Sequence, residues 1–212
     1  YPARRWDSTM FDALRQEFFP YALPGALVAH PVDVDTCQTV REPLLDAVFP
    51  HWNRMARFET PPERRQQIAR LLRIYRRLHG EHFVFYAGNT PVGWSTGRME
   101  NPITFRMINS GLLPAFRRQG VYTAFTRRLL AYLKAVGYER VTSHHHVNNR
   151  AVLNAKLKLG FVVSGTTLGE DVGAVVSMVC HLHEDRYRAY EDILGLESDP
   201  DWTAPDSASG SG

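Results

Sequence analysis

Apolar residues recur every three to four positions near the start of the chain, every second position in its middle, and in both rhythms afterwards. Met10, Phe11, Leu14, Phe18 and Phe19 predict a helix over Asp7 to Phe19, capped by Asp7 or Ser8 and ended by Pro20 and Pro24. Ala26 to Ala29, between Gly25 and Pro31, predicts a first strand. Thr36 to Phe49 predicts a helix interrupted at Pro43, and Phe49, His51, Trp52 and Phe58 form an aromatic cluster in the connection that follows. With Thr60 as cap, Pro61-Pro62-Glu63 opens a helix that carries Ile68, Leu71, Leu72, Tyr75 and Leu78 on one face and closes at Gly80.

The rhythm then shortens. His82 to Tyr86 and Pro91 to Thr96 flank Ala87-Gly88-Asn89-Thr90, a hairpin turn, and Ile103 to Leu113 predicts a third strand. A helix from Thr123 to Val136, a strand Val141 to Val147 and a helix Asn149 to Leu159 ended by Gly160 come next. Phe161 to Leu168 and Ala174 to His183 pair across Gly169-Glu170-Asp171-Val172-Gly173, and a helix Glu184 to Leu194 closes the fold with Tyr187, Tyr190, Ile193 and Leu194 inward. Helices, an antiparallel meander and then alternating strands and helices predict a mixed α/β fold in a single domain over 1–196, with a flexible tail at 197–212.

Composition changes little in this picture. In 212 residues, 44% hydrophobic and 22% charged content fits a globular domain, and a net charge of +3 without a long basic run argues against nucleic-acid binding. Arg64, Arg65, Arg70, Arg73, Arg76 and Arg77 read as the wet side of their helix. Cys37 and Cys180 lack C-x-x-C partners, which speaks against a zinc site or disulfide framework. No apolar stretch reaches the ~20 residues of a membrane span, so a soluble cytoplasmic protein is expected. The missing initiating Met and the linker-like Ser207-Ala208-Ser209-Gly210-Ser211-Gly212 suggest a chain trimmed or cut from something longer.

Candidate chemistry centres on Leu112-Leu113-Pro114-Ala115-Phe116-Arg117-Arg118-Gln119-Gly120-Val121-Tyr122-Thr123. An apolar strand runs through a proline and a basic turn into a helix, whose first N–H groups and dipole favour an anion, and Gly120 permits close approach. Together with Asn149-Arg150-Ala151-Val152 and Lys158-Leu159-Gly160-Phe161, this stretch resembles the GCN5-related N-acetyltransferase (GNAT) superfamily. There an apolar-x-Pro strand precedes an Arg/Gln-x-x-Gly-x-Gly/Ala loop, and a later helix ending Leu-Gly-Phe supplies an Asn. The resemblance spans roughly residues 20 to 185. It implies a twisted mixed sheet with helices on both faces, and transfer of an acyl group from acetyl-CoA or another acyl-CoA to a small-molecule or protein primary amine by direct attack.

Carried over by position, the backbone of Arg118, Gln119, Gly120, Val121, Tyr122 and Thr123 holds pyrophosphate and Arg117 adds charge. Leu112 and Leu113 lie beside pantetheine, where the Leu112 backbone polarises the thioester carbonyl, and Asn149 or Asn148 supplies the later contact. Three departures stand out. Tyr122 occupies a place usually held by a small residue; Lys156, or Ala155 with a slack of one, stands where the family often has a proton-donating Tyr, so that general acid is missing and Lys156 counts among the cofactor-binding residues; and Ile103 to Leu113 has no acidic residue or His. The replacement base comes from Ser143-His144-His145-His146: His145 if the family's Asn is Asn149, His144 if it is Asn148, with Ser110 nearby. Structural donors are the rival reading of these histidines, and metal binding is disfavoured.

Glu100 reads as solvated, Cys180 as a buried strand residue, and Trp6, Trp52 and Trp94 as core rather than an acceptor cleft. Two other functions fit the same motifs. One is an acyl-thioester decarboxylase or carrier-protein acyl-loading domain excised from a larger synthase, which would make an acyl carrier protein the partner. The other is a catalytically silent acyl-CoA sensor.

Overall fold

A computed structural model describes residues 8–50, 60–169 and 173–195. Eight strands form one sheet: β1 (Tyr21–Leu23), β2 (Leu27–Pro31), β3 (Gly80–Ala87), β4 (Thr90–Asn101), β5 (Thr104–Leu112), β6 (Arg140–His146), β7 (Val162–Gly169) and β8 (Gly173–His181). Their order across the sheet is β1-β2-β3-β4-β5-β6-β8-β7. Every pairing is antiparallel except β5 with β6. That exception follows from the crossover through α4 (Val121–Val136), since parallel neighbours need a long connection.

Helix α4 buries Val121, Phe125, Leu129, Leu130, Tyr132 and Leu133 against Phe83, Phe85, Phe105 and Val141 on one face of the sheet. Each such side chain contributes roughly 2 kcal/mol. Helix α1 (Ser8–Phe18) packs on the same side, with Leu14 and Phe18 against this core. On the opposite face α2 (Val34–Val48) covers a smaller cluster of Cys37, Val48 and Trp94. Asp33 starts α2, its Oδ1 accepting from the N–H groups of Asp35 and Thr36 at 2.9 and 2.8 Å. Gly111 lets β5 pass under this cluster, because a Cβ there would lie 2.6 Å from the Trp94 ring and 2.8 Å from Val48. Helices α3 (Pro62–Tyr75), α5 (Arg150–Leu157) and α6 (Glu184–Leu194) complete the element order. No helix among the described residues is long and apolar enough to cross a membrane.

Several expectations need correction. Strand β1 occupies the stretch between the two prolines that was expected only to end a helix. Helix α2 runs through Pro43 unbroken. Gly80 opens β3 rather than closing α3, and Thr60 is not the cap of α3, a position taken by Pro61. Among the described residues nothing covers the apolar stripe of α3: Ile68, Leu71, Leu72 and Tyr75, with Leu78 just beyond its end, are all exposed. On α6, Tyr187 and Glu191 face inward, while Ile193 is 82% and Leu194 51% exposed. Trp6, Asp7, the Met10 side chain, His51, Trp52, Phe58, the tip of the β7–β8 turn and the tail lie outside the described residues.

Candidate active site

The basic turn leaves a run of backbone N–H groups open at the start of α4. After β5 the chain makes a short 3-10 helix, Pro114–Phe116, and reaches α4 through two left-handed residues, Arg118 (φ +60°) and Gly120 (φ +79°). Gly120 caps α4, so the helix begins at Val121, two residues before the apolar spacing suggests. A Cβ on Gly120 would have room, 3.8 Å from Pro24, so conformation rather than space selects glycine. Among the described residues the N–H groups of Arg118, Gln119, Gly120, Val121, Tyr122 and Thr123 donate to no other group. The first turn of α4 holds no acidic side chain that would compete for them.

The side chains of this loop brace it. Arg117 donates from Nε to the Leu112 carbonyl at 2.8 Å and from Nη2 to the Val48 carbonyl at 2.7 Å, joining the loop to the last turn of α2. Gln119 donates to the Ala115 carbonyl at 2.9 Å. Tyr122 turns its ring inward, 5.9 Å from Lys156 Nζ, and so away from the exposed turn. Asn149 caps α5, its Oδ1 accepting from the Val152 N–H at 3.4 Å.

Beside the loop the sheet forks. Strands β5 and β6 pair from Thr104–Arg140 to Met107–Ser143 and no further, although both continue, to Leu112 and His146. Ile108 is bulged out of the β4–β5 ladder at the same level. The N–H of Leu113 bonds to Val92 in β4, so strand alternation turns the N–H and carbonyl of Leu112 into the fork. Ser110 shares a 2.8 Å hydrogen bond with Ser95 in β4.

The histidines at the end of β6 divide between the two faces of the sheet. His145 faces the α4–α5 side, its Nε2 3.0 Å from Ser143 Oγ, and burial together with neighbouring Lys156 lowers its pKa to about 4. His144 faces the α2 side, its Nδ1 2.8 Å from Arg106 Nη2. An arginine only donates, so neutral His144 carries its own proton on Nε2. Burial and the charge of Arg106 lower its pKa, keeping the ring neutral at pH 7. Arg106 also lies 3.6 Å from Glu100, which accepts from Thr142 Oγ1 at 2.7 Å, so Glu100 is tied into a surface network rather than merely solvated.

Lys156 reaches the fork from α5. It is fully buried, with Nζ 2.8 Å from Met107 Sδ and 3.8 Å from the centre of the Phe161 ring. Among the described residues no carboxylate accompanies it, and desolvation pulls its pKa down to about 7. Cys180 is buried as expected, its thiol raised to about 12, and Trp94 is wholly inside, donating to Asn109. Arg98 and Arg106, adjacent across β4 and β5, were missed in sequence. Their signal was an arginine on each of two neighbouring strands, which becomes visible only once register is known.

A search of curated proteins found no match. The sequence profile described as the acetyltransferase (GNAT) family matches residues 45–161. Among solved structures, the chain is similar to the ribosomal-protein-S18-alanine N-acetyltransferase from Escherichia coli, at 9% identity and TM-score 0.56 over 84% of this chain and 99% of that one. It is similar to the NatC complex bound to Gag peptide and CoA, at 15% identity and TM-score 0.53 over 74% and 99%. A spermidine N-acetyltransferase chimera from Vibrio cholerae is similar at 14% identity and TM-score 0.52 over 77% and 98%.

Proposed function

The chain belongs to the GNAT acetyltransferase family and is an acyltransferase, and from that premise we propose that it transfers the acetyl group of acetyl-CoA to a primary amine. The observation that carries this is the run of unpaired N–H groups from Arg118 to Thr123 at the left-handed start of α4, beside the fork. Six donors without acceptors, at the positive end of a 16-residue helix, suit a pyrophosphate. The CoA bound to the similar NatC complex supports the same cofactor. Acetyl-CoA supplies an activated acyl group as a thioester.

The chain's own residues divide the remaining work. Arg118 to Thr123 bind the pyrophosphate through their backbone, and Arg117 holds the loop and the Leu112 carbonyl in place. The Leu112 N–H, turned into the fork, stabilises charge on the acyl oxygen. His144 takes the proton of the acceptor ammonium at Nδ1, the atom now bonded by Arg106. His145, with its pKa near 4, is too weak a base for that step and acts as a neutral wall with Ser143. Lys156, buried at the fork with its pKa drawn down to about 7, would be the group that supplies a proton to the departing thiolate when acetyl-CoA is bound. The amine class of acceptor agrees with the similar enzymes, whose names specify a protein alanine and spermidine.

Calorimetry with acetyl-CoA and with CoA tests the proposal. Both are expected to bind saturably, and Gly120→Val to weaken both at least tenfold while circular dichroism stays unchanged. Absence of heat with either ligand on the folded wild-type chain would remove the proposal.

A further inference from the structure

A cavity of about 670 Å³ opens between α1, the start of α2, the end of α3 and the first residues of β3. Most of its charged lining is already matched. Arg15 donates to Glu81 and Asp12, Arg76 lies 3.4 Å from Asp35, and Asp33 caps α2. Two groups are not. The buried Nε of Arg98 and the buried Nδ1 of His82 have no hydrogen-bond partner. The Arg98 guanidinium lies over the Tyr75 ring, 3.6 Å from its centre, a contact that orients the plane of the fork and leaves its edge free. Desolvation and the charge of Arg106 both oppose the cation at Arg98, and among the described residues no carboxylate pairs with it. Arg106 has Glu100 as its counter-ion at 3.6 Å, whereas half-buried Arg98 has none among the described residues, and an arginine so placed is a site for an anion.

Its place in the sheet says which anion. Gly80 pairs with Arg98, Arg98 with Arg106, and Arg106 with Thr142, so these side chains share one face. His82 lies two residues beyond Gly80 and His144 two beyond Thr142, which puts both on that face as well. The strip His82–Arg98–Arg106–His144 thus runs from the cavity to the mouth of the fork. Two strand spacings, roughly 10 Å, separate the backbones of β4 and β6.

Resting on the acetyltransferase reading, we propose that the acceptor is a small amine bearing a carboxylate, held through that carboxylate by Arg98 with its amine directed to His144. Arg106 connects the two ends of the strip. A substrate carboxylate at Arg98 competes with Glu100 for Arg106, and a guanidinium drawn toward Arg98 leaves His144 Nδ1 free for the ammonium proton.

Matched pairs test the proposal: free α- and ω-amino acids against their carboxamides, with thiol release as the readout. A second measurement needs no turnover, namely calorimetric binding of the corresponding N-acetyl amino acids and N-acetyl carboxamides to the protein without cofactor. The carboxylate member is expected to lead at least tenfold in kcat/KM and in Kd for the preferred pair. Arg98→Gln should bring both ratios to within about twofold of one, mainly through KM, while Arg98→Lys keeps part of the preference. A wild-type ratio near one, or a ratio that persists in Arg98→Gln, would overturn the proposal. Acetyl-CoA binding separates the two layers. If it holds while the carboxylate preference fails, only the acceptor class is wrong; if it fails while the calorimetric preference holds, the acetyltransferase reading is wrong.

Discussion

Lys156 is where composition and place conflict most sharply. A lysine without solvent, with a thioether and an aromatic face as neighbours, destabilises the fold whenever it is charged. Its pKa is near 7 in the folded chain and near 10.5 when unfolded. Between those values the unfolded chain holds the proton and the folded chain does not. Stability therefore rises as pH increases through that window and is least favoured below it. Lys156→Met is expected to raise stability at pH 7 by a few kcal/mol, on the order expected for removing a buried unpaired charge. It should also flatten the dependence between pH 7 and 10, read from urea midpoints, and lower kcat at least tenfold. A variant that is both more stable and slower separates a functional lysine from a structural one. In sequence Lys156 was visible only as the occupant of a place usually held by Tyr. Its burial depends on Met107, Phe161 and Tyr122 arriving from three other segments, and no local pattern encodes that.

Elements were legible where their own sequence decides them. Strands β3, β5 and β6, helix α6 and the start of β4 lie within a residue or two of expectation, because turn glycines and apolar alternation act locally, whereas β4 runs five residues past Thr96 to Asn101. Helix α3 shows the limit. Its stripe has the right period, yet periodicity identifies an apolar face without saying what covers it, and Leu71 remains 66% exposed. Glu81 shows the reverse case, a charge in the interior of a strand that nothing in the sequence marks as buried. Burial would push its pKa up, but His79 at 2.9 Å, Arg15 at 2.9 and 3.1 Å and Tyr132 at 2.6 Å hold it down. These bonds pin α1 and α4 to β3. Glu81→Gln is expected to cost about 3 kcal/mol in chemical denaturation, because Arg15 loses its buried partner and keeps only the exposed Asp12.

For the whole molecule, neutral buried histidines set the acid limit. His181, with both ring nitrogens unpartnered beside Tyr187 and Tyr190, and His145 each have pKa values lowered to about 4, first by burial. His82 and His144 shift in the same direction. Unfolded histidines take up protons near pH 6.5, where these folded ones do not. Their contribution is present above that value and is lost as pH falls from about 6.5 to 4. Thermal unfolding should therefore show a falling Tm across that interval, with His181 and His145 accounting for on the order of 2 kcal/mol each. His181→Phe should reduce the fall. The family was legible at this scale because two motifs stand in order along the chain. The polar strip from His82 to His144 was not, since it is assembled by the register of four strands.

Arg117 bonds two carbonyls that belong to different parts of the chain, Val48 at the end of α2 and Leu112 at the mouth of the fork. The end of α2 and the mouth of the fork thus share a polar joint in one guanidinium, set beside the apolar contact of Val48 with Leu113, and a displacement of either is passed on through it. Substitutions on its two flanks will therefore not sum: the second acts on a joint the first has already loosened.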